Sequence, residues 1–271
     1  MKKQISTLKT SIFQLNSTAS IKNNQLQITT LIEKNNLQNS DLWTFPECAL
    51  HRPQNQEESL SFSLTDTIVP WFQNLATTHK KWILVGSFFY KQKNLNLPTN
   101  TSVLINPSGE ITQTYDKIHL FDVSVENLSF CESASFSAGT KPKTANINNF
   151  NCGLSICFDC RFPELYRHYA KDKCDIIFIP SSFTKSTGEK HWHSLCRARA
   201  IENQCYVIAP NQCGIGANKA ETYGHSLIID PFGEIIAEGS ANNVEVISAT
   251  LKLSRLSIIR ELFPLLEARK L

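Results

Sequence analysis

Short apolar segments alternate with segments of helical period along the first half of the chain. Apolar runs bounded by turn residues predict strands over residues 8–16, 40–45 and 82–90. Between these strands, residues 22–36 and 66–80 carry apolar side chains at helical spacing and predict helices. Because strands and helices take turns along the chain, the pattern predicts an α/β fold.

The second half of the chain repeats this order of elements. Each half contains a predicted hairpin whose two apolar runs flank an Asx-Pro-x-Gly turn, at Asn106–Gly109 and at Asp230–Gly233. In the second half the predicted strands cover 151–157, 174–182 and 205–212, and the predicted helices cover 161–171 and 188–204. The repetition predicts two similar halves whose sheets face each other, a four-layer α-β-β-α sandwich. The alternative is that the two Asx-Pro-x-Gly turns recur by chance and do not indicate two similar halves.

Composition and charge narrow the possible partners. No linker, low-complexity tract or shift in composition interrupts the 271 residues, which predicts one continuous domain over residues 1–271. The 27 Lys and Arg residues against 24 Asp and Glu residues give a net charge of +3, and the basic residues are scattered. This argues against nucleic acid and a membrane surface as partners. No apolar run reaches the roughly 18 residues of a transmembrane helix, and the N-terminus lacks the apolar run of a signal peptide.

The chain contains nine cysteines, an odd number, and several of them lie in apolar runs that predict buried strands. Together with the missing signal peptide, this favours reduced thiols in a cytoplasmic protein over a disulfide framework. Cys157 and Cys160 form a C-x-x-C pair, which is typical of a zinc site, a redox pair, or one working thiol with a neighbour.

The first two interpretations of the pair have weak support. A structural zinc site needs a second pair of ligands at similar spacing, and His191 and His193 do not complete one. A redox pair needs a low thiol pKa, whereas an aspartate between the two cysteines, Asp159, tends to raise it. A non-catalytic redox protein nevertheless stays open as the alternative from a different functional class.

The position of Cys157 favours the third interpretation, a nucleophile. Cys157 ends a predicted strand shortly before Pro163 favours a helix start, and α/β proteins place their chemistry at such strand ends. Cys160 is then a packing residue. A cysteine nucleophile needs a base or a cation, and no histidine here has the local signature of a cysteine protease. A carboxylate with a lysine can serve instead. Glu47 and Lys117 lie near predicted strand ends, although from spacing alone either is more typical of a solvated surface charge.

Three motifs follow one another along the chain: Phe45-Pro46-Glu47, residues 115–122 (YDKIHLFD) and residues 153–167 (GLSICFDCRFPELYR). In this order they resemble the glutamate, lysine and cysteine motifs of the nitrilase, or carbon–nitrogen hydrolase, superfamily, and the likeness covers nearly the whole chain. Residues 130–142 and 223–233 resemble its amidase branch, and most closely the deaminated glutathione amidases. The ω-amidases are close siblings of these enzymes.

This resemblance implies an α-β-β-α subunit, a homodimer with the helices beside the active site at its interface, and no metal or organic cofactor. It implies that Cys157 is the nucleophile, Glu47 the general base and Lys117 the cation at the oxyanion, while Glu132 supports the lysine. The implied reaction cleaves a primary amide to a carboxylate and ammonia through a thioester on Cys157. Deaminated glutathione is the expected substrate, and ω-amidase activity on α-ketoglutaramate or α-ketosuccinamate is the alternative.

The far end of such a substrate is expected to carry a carboxylate and a keto group. Arg161, His191, Arg197 and main-chain N–H groups near Ser181 and Ser182 are candidate contacts. Each has a structural alternative, since Arg161 can pair within its own turn and Arg197 can brace the helix on the dimer side.

Overall fold

The computed structural model of the protein describes residues 6–55, 58–125, 128–216 and 219–270, with the main chain alone at residues 125 and 128. Residues 1–5, which belong to the stretch considered for a signal peptide, lie outside the described residues. Within the described part of the chain, no helix combines the length and the apolar character that are needed to cross a membrane.

Fifteen strands and six α-helices alternate along these residues. The strands are β1 (Thr7–Gln14), β2 (Leu42–Thr44), β3 (Trp82–Leu84), β4 (Phe88–Tyr90), β5 (Thr99–Ile105), β6 (Ile111–Asp116), β7 (Asp122–Val125), β8 (Leu128–Cys131), β9 (Thr144–Ile147), β10 (Phe150–Leu154), β11 (Ile176–Phe178), β12 (Tyr206–Ala209), β13 (Leu227–Ile229), β14 (Ile235–Glu238) and β15 (Glu245–Lys252). The helices are α1 (Ile21–Lys34), α2 (Ile68–His79), α3 (Pro163–Lys171), α4 (Lys185–Asn203), α5 (Leu253–Leu262) and α6 (Leu265–Ala268). The predicted α/β class is confirmed.

The first sheet is built mainly from the N-terminal half of the chain. Its strands lie in the order β15-β1-β2-β3-β5-β4, and β6 pairs with β5. Successive side chains of a strand point to opposite faces of the sheet, which divides the sheet between two apolar cores. Trp43 and Val103 pack in one core together with residues of α1 and α2, whereas Leu42 and Leu104 belong to the other.

The second sheet repeats the pairing of the first. Its order is β14-β13-β12-β11-β10-β9, in which β10, β11 and β12 are parallel and the hairpin β13–β14 follows antiparallel. Tyr166 of α3 and Trp192 of α4 pack in the same core as Ile177 of this sheet and Leu42 of the first. The layers therefore run α1/α2, first sheet, second sheet, α3/α4, which confirms the predicted four-layer α-β-β-α sandwich.

The prediction of one strand over residues 82–90 is wrong, because the chain breaks between β3 and β4 at Gly86. This residue has a φ of +78°, and a Cβ atom on it would lie 2.0 Å from the main-chain oxygen of Pro46. Only glycine permits both the left-handed backbone and this close approach. The break thus packs the chain directly against the segment that precedes Glu47.

The two sheets do not divide the chain into clean halves. β15, which the apolar pattern did not predict, returns from the C-terminal part and pairs with β1 antiparallel along Thr7–Gln14. Most of its side chains are partly or fully exposed, so its sequence lacks the apolar alternation that identifies a strand. The first sheet is therefore completed only by the end of the chain.

Candidate active site

A buried lysine between two carboxylates lies where three loops meet. Glu47 follows β2, Lys117 follows β6, and Glu132 follows β8. Lys117 Nζ lies 3.0 Å from Glu47 Oε1 and 2.8 Å from Glu132 Oε2. The side chains of Lys117 and Glu47 are 1% and 6% exposed, so both charges are removed from water. Three of the predicted site residues are thus in direct contact, although they are far apart in sequence.

Both oxygens of Glu47 accept further hydrogen bonds. Asn100 Nδ2 donates to Oε1 at 2.8 Å, and the main-chain N–H of Ser182 donates to Oε2 at 2.9 Å. This corrects the prediction for the main chain near Ser181 and Ser182, which we expected to contact the substrate. The N–H of Ser181 also has another partner, the oxygen of Pro210 at 2.8 Å. These donors fix the orientation of both oxygens of the Glu47 carboxylate.

Cys157 lies in a strained turn after β10. The strand ends at Leu154, a little earlier than predicted, and a short 3₁₀ helix over Cys157–Arg161 leads to α3, which begins at Pro163 as predicted. The φ of Cys157 is +47°, and its N–H donates to the oxygen of Pro180 at 2.9 Å. A left-handed conformation at a residue other than glycine costs roughly 1–3 kcal/mol and is concentrated at functional sites.

Asp159 fixes this turn and connects it to the lysine motif. Its side chain is fully buried and accepts from the N–H of Ile156 at 2.9 Å and from Tyr115 Oη at 2.7 Å. It also accepts from the N–H of His119 at 2.9 Å and lies 2.7 Å from His119 Nδ1. Asp159, which we interpreted only as a neighbour of the two thiols, is therefore a structural link between the cysteine motif and the lysine motif.

Cys160 has the properties of a packing residue. It is fully buried, and burial raises the pKa of its thiol to about 12, with Arg161 and Arg199 opposing this shift. All nine cysteines are free thiols. A redox pair needs one accessible thiol of low pKa to start the exchange, whereas burial raises the pKa of both Cys157 and Cys160, which argues against the redox interpretation.

The charges of the cluster set the pKa values of the working groups. Burial raises the pKa of the Cys157 thiol well above its ordinary value; Glu47 adds to this shift and Lys117 opposes it. Burial alone would lower the pKa of Lys117, but Glu132 and Glu47 outweigh it and raise that pKa instead. Burial also raises the pKa of Glu132, against the influence of Lys117. At neutral pH the arrangement therefore holds a protonated thiol beside a charged lysine.

The thiol of Cys157 should ionise at lower pH in Glu47→Gln than in the wild type. Neutralising the carboxylate removes a charge that disfavours the thiolate, while Lys117 still favours it, so the pKa falls. The pH dependence of the alkylation rate of Cys157 by iodoacetamide, followed by peptide mass spectrometry, measures the shift. Glu164 is an exposed glutamate of α3, and Glu164→Gln is the matched control. It should leave the pH midpoint of the alkylation rate unchanged. A midpoint that moves to higher pH in Glu47→Gln would contradict the placement of the carboxylate.

A cavity of about 750 Å³ joins these residues, since Glu47, Lys117, Glu132 and Cys157 all line it. This volume lies within the usual range for small-molecule sites. Six phenylalanines contribute to its walls: Phe89, Phe121, Phe130, Phe136, Phe158 and Phe183. The cavity thus combines a small polar cluster with large apolar walls, as a site for a small organic molecule does.

The predicted substrate contacts on the helices have different outcomes. Arg161 lines the cavity, with its guanidinium 4.9 Å from the ring centre of Phe183 and Nη1 3.1 Å from His191 Nδ1. Arg197 instead donates to the main-chain oxygen of Gly233 at 2.9 Å, so it braces α4 against the turn of the second hairpin. Of these candidates, Arg161 keeps a position from which it can contact a ligand.

A separate group of possible metal ligands lies on the edge of the second sheet. His193, His225 and Glu238 each offer one possible ligand atom, and these three atoms lie within 4.8 Å of one another. His193 Nε2 and His225 Nδ1 are 2.9 Å and 2.8 Å from Glu238 Oε1, so the three side chains already satisfy one another as a hydrogen-bonded group. None of them lines the cavity as described.

Two residues of the site were missed by the sequence interpretation. Asn100 lies in β5, whose residues are all buried, and a polar side chain in such a run is a signal that it has a fixed partner. Arg52 follows Glu47 closely, lines the cavity and is buried. The sequence alone gave no sign of this burial, because an arginine beside proline and glutamine is typical of an exposed loop.

Comparison with known proteins agrees with the geometry. The carbon–nitrogen hydrolase family model matches residues 9–261. A deaminated glutathione amidase from Synechocystis sp. is 42% identical over 203 residues, which cover 73% of this chain and 74% of that protein. Omega-amidase NIT3 from Saccharomyces cerevisiae is 32% identical over 273 residues, covering 97% of this chain and 93% of that protein.

The fold is similar to that of a solved relative. The crystal structure of the NitFhit protein from C. elegans superposes with a TM-score of 0.91 at 32% identity, covering 99% of this chain and 66% of that one. Similarity in sequence, in fold and in the order of the motifs thus points to one family. The chain belongs to the carbon–nitrogen hydrolase family and is an amide-hydrolysing enzyme.

Proposed function

We propose that the protein hydrolyses the amide of an α-keto dicarboxylic acid through a thioester on Cys157, with deaminated glutathione as the first candidate substrate. The buried contact of Lys117 with Glu47 and Glu132 supports this most, because it supplies a base and a cation to the cavity that Cys157 also lines. The Synechocystis relative named deaminated glutathione amidase supports the choice of substrate.

In the first half-reaction, Glu47 takes the proton of the Cys157 thiol while the sulfur attacks the amide carbon. The carbonyl electrons move to the oxygen, and Lys117 Nζ and the main-chain N–H of Phe158 hold the resulting oxyanion. Loss of one such donor typically costs about 10²–10³-fold in kcat. Glu47 then returns the proton to the departing nitrogen, the C–N bond breaks, and the acyl group remains as a thioester.

In the second half-reaction, Glu47 takes a proton from a water molecule that adds to the thioester carbon. The same two donors hold the second oxyanion. The C–S bond breaks, the acid leaves, and the sulfur of Cys157 regains a proton from Glu47. One carboxylate serves both halves because each half takes a proton and returns it. Glu132 lies 2.8 Å from Lys117 Nζ, orients the lysine and raises its pKa, which keeps it charged.

An ω-amidase activity on α-ketoglutaramate or α-ketosuccinamate is the second candidate. The 32% identity with the yeast protein named omega-amidase NIT3 supports it. Deaminated glutathione and α-ketoglutaramate have the same acyl part and differ in the leaving group. The first is a secondary amide and releases cysteinylglycine, so the expected release of ammonia from a primary amide applies only to the second, and the two activities separate by their products.

The purified protein should release α-ketoglutarate from deaminated glutathione with a kcat/KM at least about tenfold above that for α-ketoglutaramate, a difference of roughly 1.4 kcal/mol in transition-state binding. A coupled dehydrogenase assay measures α-ketoglutarate, and chromatography measures cysteinylglycine. A simple nitrile of the same length as α-ketoglutaramate tests whether the protein is instead a true nitrilase, and we expect this nitrile to stay unchanged. A higher kcat/KM on α-ketoglutaramate would assign the protein to the ω-amidases. No turnover of any amide would overturn the proposed function.

The alternative from another class, a non-catalytic redox protein, requires a reversible disulfide between Cys157 and Cys160 without amidase activity. Burial raises the pKa of both thiols, so neither has the low pKa that starts disulfide exchange, which argues against this alternative. Thiol mapping separates the two functions, because the hydrolase predicts one thiol whose alkylation stops turnover.

We also propose that the chain forms one catalytic domain and that it assembles as a homodimer. An apolar surface near the end of α4 supports the dimer. Ile201, Phe232 and Phe263 are 42%, 49% and 50% exposed, and the rings of Phe232 and Phe263 lie 5.7 Å apart. A second copy of the chain on this surface would remove these side chains from water, and light scattering measures the mass of the assembly. The cytoplasmic location and the independence from cofactors stay predictions.

A further inference from the structure

Arg52 is a buried arginine with a free edge. Only 3% of its surface is exposed. Nη1 donates to the main-chain oxygen of Cys213 at 3.2 Å, whereas Nε and Nη2 have no hydrogen-bond partner in the described part of the chain. Most buried polar groups in proteins are paired, and an unpaired one costs about 1–3 kcal/mol. Two unpaired donors on one charged side chain therefore call for an explanation in function.

The two free donors lie side by side. Nε–H and one N–H of Nη2 point in the same direction from one edge of the planar guanidinium, which is the arrangement that binds the two oxygens of a carboxylate at once. Lysine offers no such pair, because its ammonium is a point charge. The free edge of Arg52 is thus specific for a planar anion.

The surroundings of Arg52 connect it to the catalytic cavity. Arg52 lines this cavity together with Gly216, Ala220 and Thr222 of a neighbouring loop. A Cβ atom on Gly216 would lie 2.3 Å from Arg52 Nη2, so the absence of a side chain there leaves room for the guanidinium. Among the described residues a single hydrogen bond, to Cys213, holds the guanidinium. Nε and Nη2 are buried beside Gly216, so the side chain must rotate towards the cavity to bring its free edge to a ligand.

Arg52 keeps its positive charge in this environment. Burial lowers the pKa of Arg52 to about 10, while Cys48, Cys213 and Glu47 act in the opposite direction. A group with this pKa is protonated at neutral pH. The wall of the cavity that Glu47 also lines therefore carries a positive charge.

We propose that Arg52 binds the carboxylate of the substrate that is remote from the scissile amide, and so sets a preference for anionic over neutral amides. This inference rests on the amide-hydrolysing function proposed above and adds a specificity-determining residue to it. Arg161, the other arginine that lines this cavity as described, already contacts His191 and the rings of Phe158 and Phe183.

Two amides of equal length test the proposal. Glutaric acid monoamide carries a carboxylate at its far end, whereas pentanamide has a methyl group there. In Arg52→Met we expect kcat/KM for the monoamide to fall 10- to 100-fold, through KM rather than kcat, and kcat/KM for pentanamide to stay within threefold. Arg52→Lys keeps the charge without the paired donors, so its kcat/KM for the monoamide should lie between the values of the wild type and of Arg52→Met. Arg197→Met, an arginine outside the cavity, is the matched control and should change neither value.

Several outcomes would overturn the proposal. Equal losses on both amides in Arg52→Met, or no loss on either, would show that Arg52 does not discriminate between them. A lower Tm of Arg52→Met together with equal losses would indicate a structural role, since removing a buried charge that is held by a single hydrogen bond and leaves two donors unpaired should leave Tm unchanged or raise it. A loss of discrimination in Arg161→Met but not in Arg52→Met would move the role to Arg161.

A binding experiment separates this inference from the proposed function. Calorimetry of glutaric acid monoamide with Cys157→Ala and with the double variant Cys157→Ala/Arg52→Met measures affinity without turnover. We expect the dissociation constant to rise 10- to 100-fold in the double variant, and equal affinities would overturn the role of Arg52. If the wild type hydrolyses neither amide and the double variant still binds more weakly, the proposed function fails while the carboxylate site stands.

Discussion

Cys157→Ala should lower the rate of amide hydrolysis by about 10⁴-fold or more, because the variant has no atom that can form the acyl intermediate. The loss should appear in kcat for every amide, since the chemistry at the scissile bond is shared. Mass spectrometry of the wild-type protein quenched during turnover should detect an acyl adduct on the peptide that contains Cys157. The adduct should be absent from the variant.

The second cysteine of the pair supplies the matched control. Cys160 lies three positions away, and its side chain is fully buried. Cys160→Ala removes a thiol from the same turn and should keep kcat within a fewfold of the wild type. Full activity in Cys157→Ala, or an equal loss in both variants, would contradict the assignment of the nucleophile.

Lys117→Met should reduce both activity and stability. The variant loses the cation at the oxyanion, which should cost about 10²–10³-fold in kcat. It also leaves the carboxylates of Glu47 and Glu132 near each other without the lysine that lies 3.0 Å and 2.8 Å from them. Removing one partner from a buried group of charges typically costs about 3–5 kcal/mol. Urea unfolding at pH 7 measures the loss in the free energy of unfolding.

The stability loss of Lys117→Met should depend on pH in a defined direction. Without the lysine, burial and mutual repulsion raise the pKa of the two carboxyl groups in the folded state above their unfolded values. The folded variant then binds more protons than the unfolded chain, so its stability decreases as the pH rises through these pKa values. The difference in the free energy of unfolding between Lys117→Met and the wild type should therefore be smaller at pH 5 than at pH 7.

An exposed lysine provides the comparison for this variant. Lys185 pairs with Glu221 at 3.1 Å, and both side chains are 45% exposed. Lys185→Met should change the free energy of unfolding by less than about 1 kcal/mol, as expected for a surface ion pair. If Lys117→Met were as stable as the wild type at pH 7, the buried cluster would not have the energetic role that its geometry indicates.

The layered fold was predictable because its two halves follow the apolar periodicity closely. The hairpins around Asn106–Gly109 and Asp230–Gly233 have the turn residues that their backbone requires, so their sequences identify them. β15 was not predictable, because it is half-exposed and is held by pairing with β1 rather than by its own pattern. The break at Gly86 depends on the main chain of Pro46, which is distant in sequence.

The site shows the same division between local and distant causes. Cys157 was predictable as a candidate from its strand end and from Pro163, both of which are local features. That Glu47 and Lys117 line the same cavity as Cys157 followed only from the resemblance, because no spacing in one chain indicates which loops meet. The N–H of Ser182 was predicted to contact the substrate but donates to Glu47, and this could not be foreseen for the same reason, since the bond joins two loops from different sheets.

The pairing of β1 with β15 has a consequence for how the protein is made. Thr7–Gln14 bonds to Glu245–Lys252, so one edge of β1 has no partner until the C-terminal part of the chain has left the ribosome. Unpaired strand edges readily pair with other chains, and contacts between such distant segments form slowly. We therefore expect the nascent chain to be prone to aggregation until Glu245–Lys252 has left the ribosome, and chaperones that cover strand edges to improve its yield before that point.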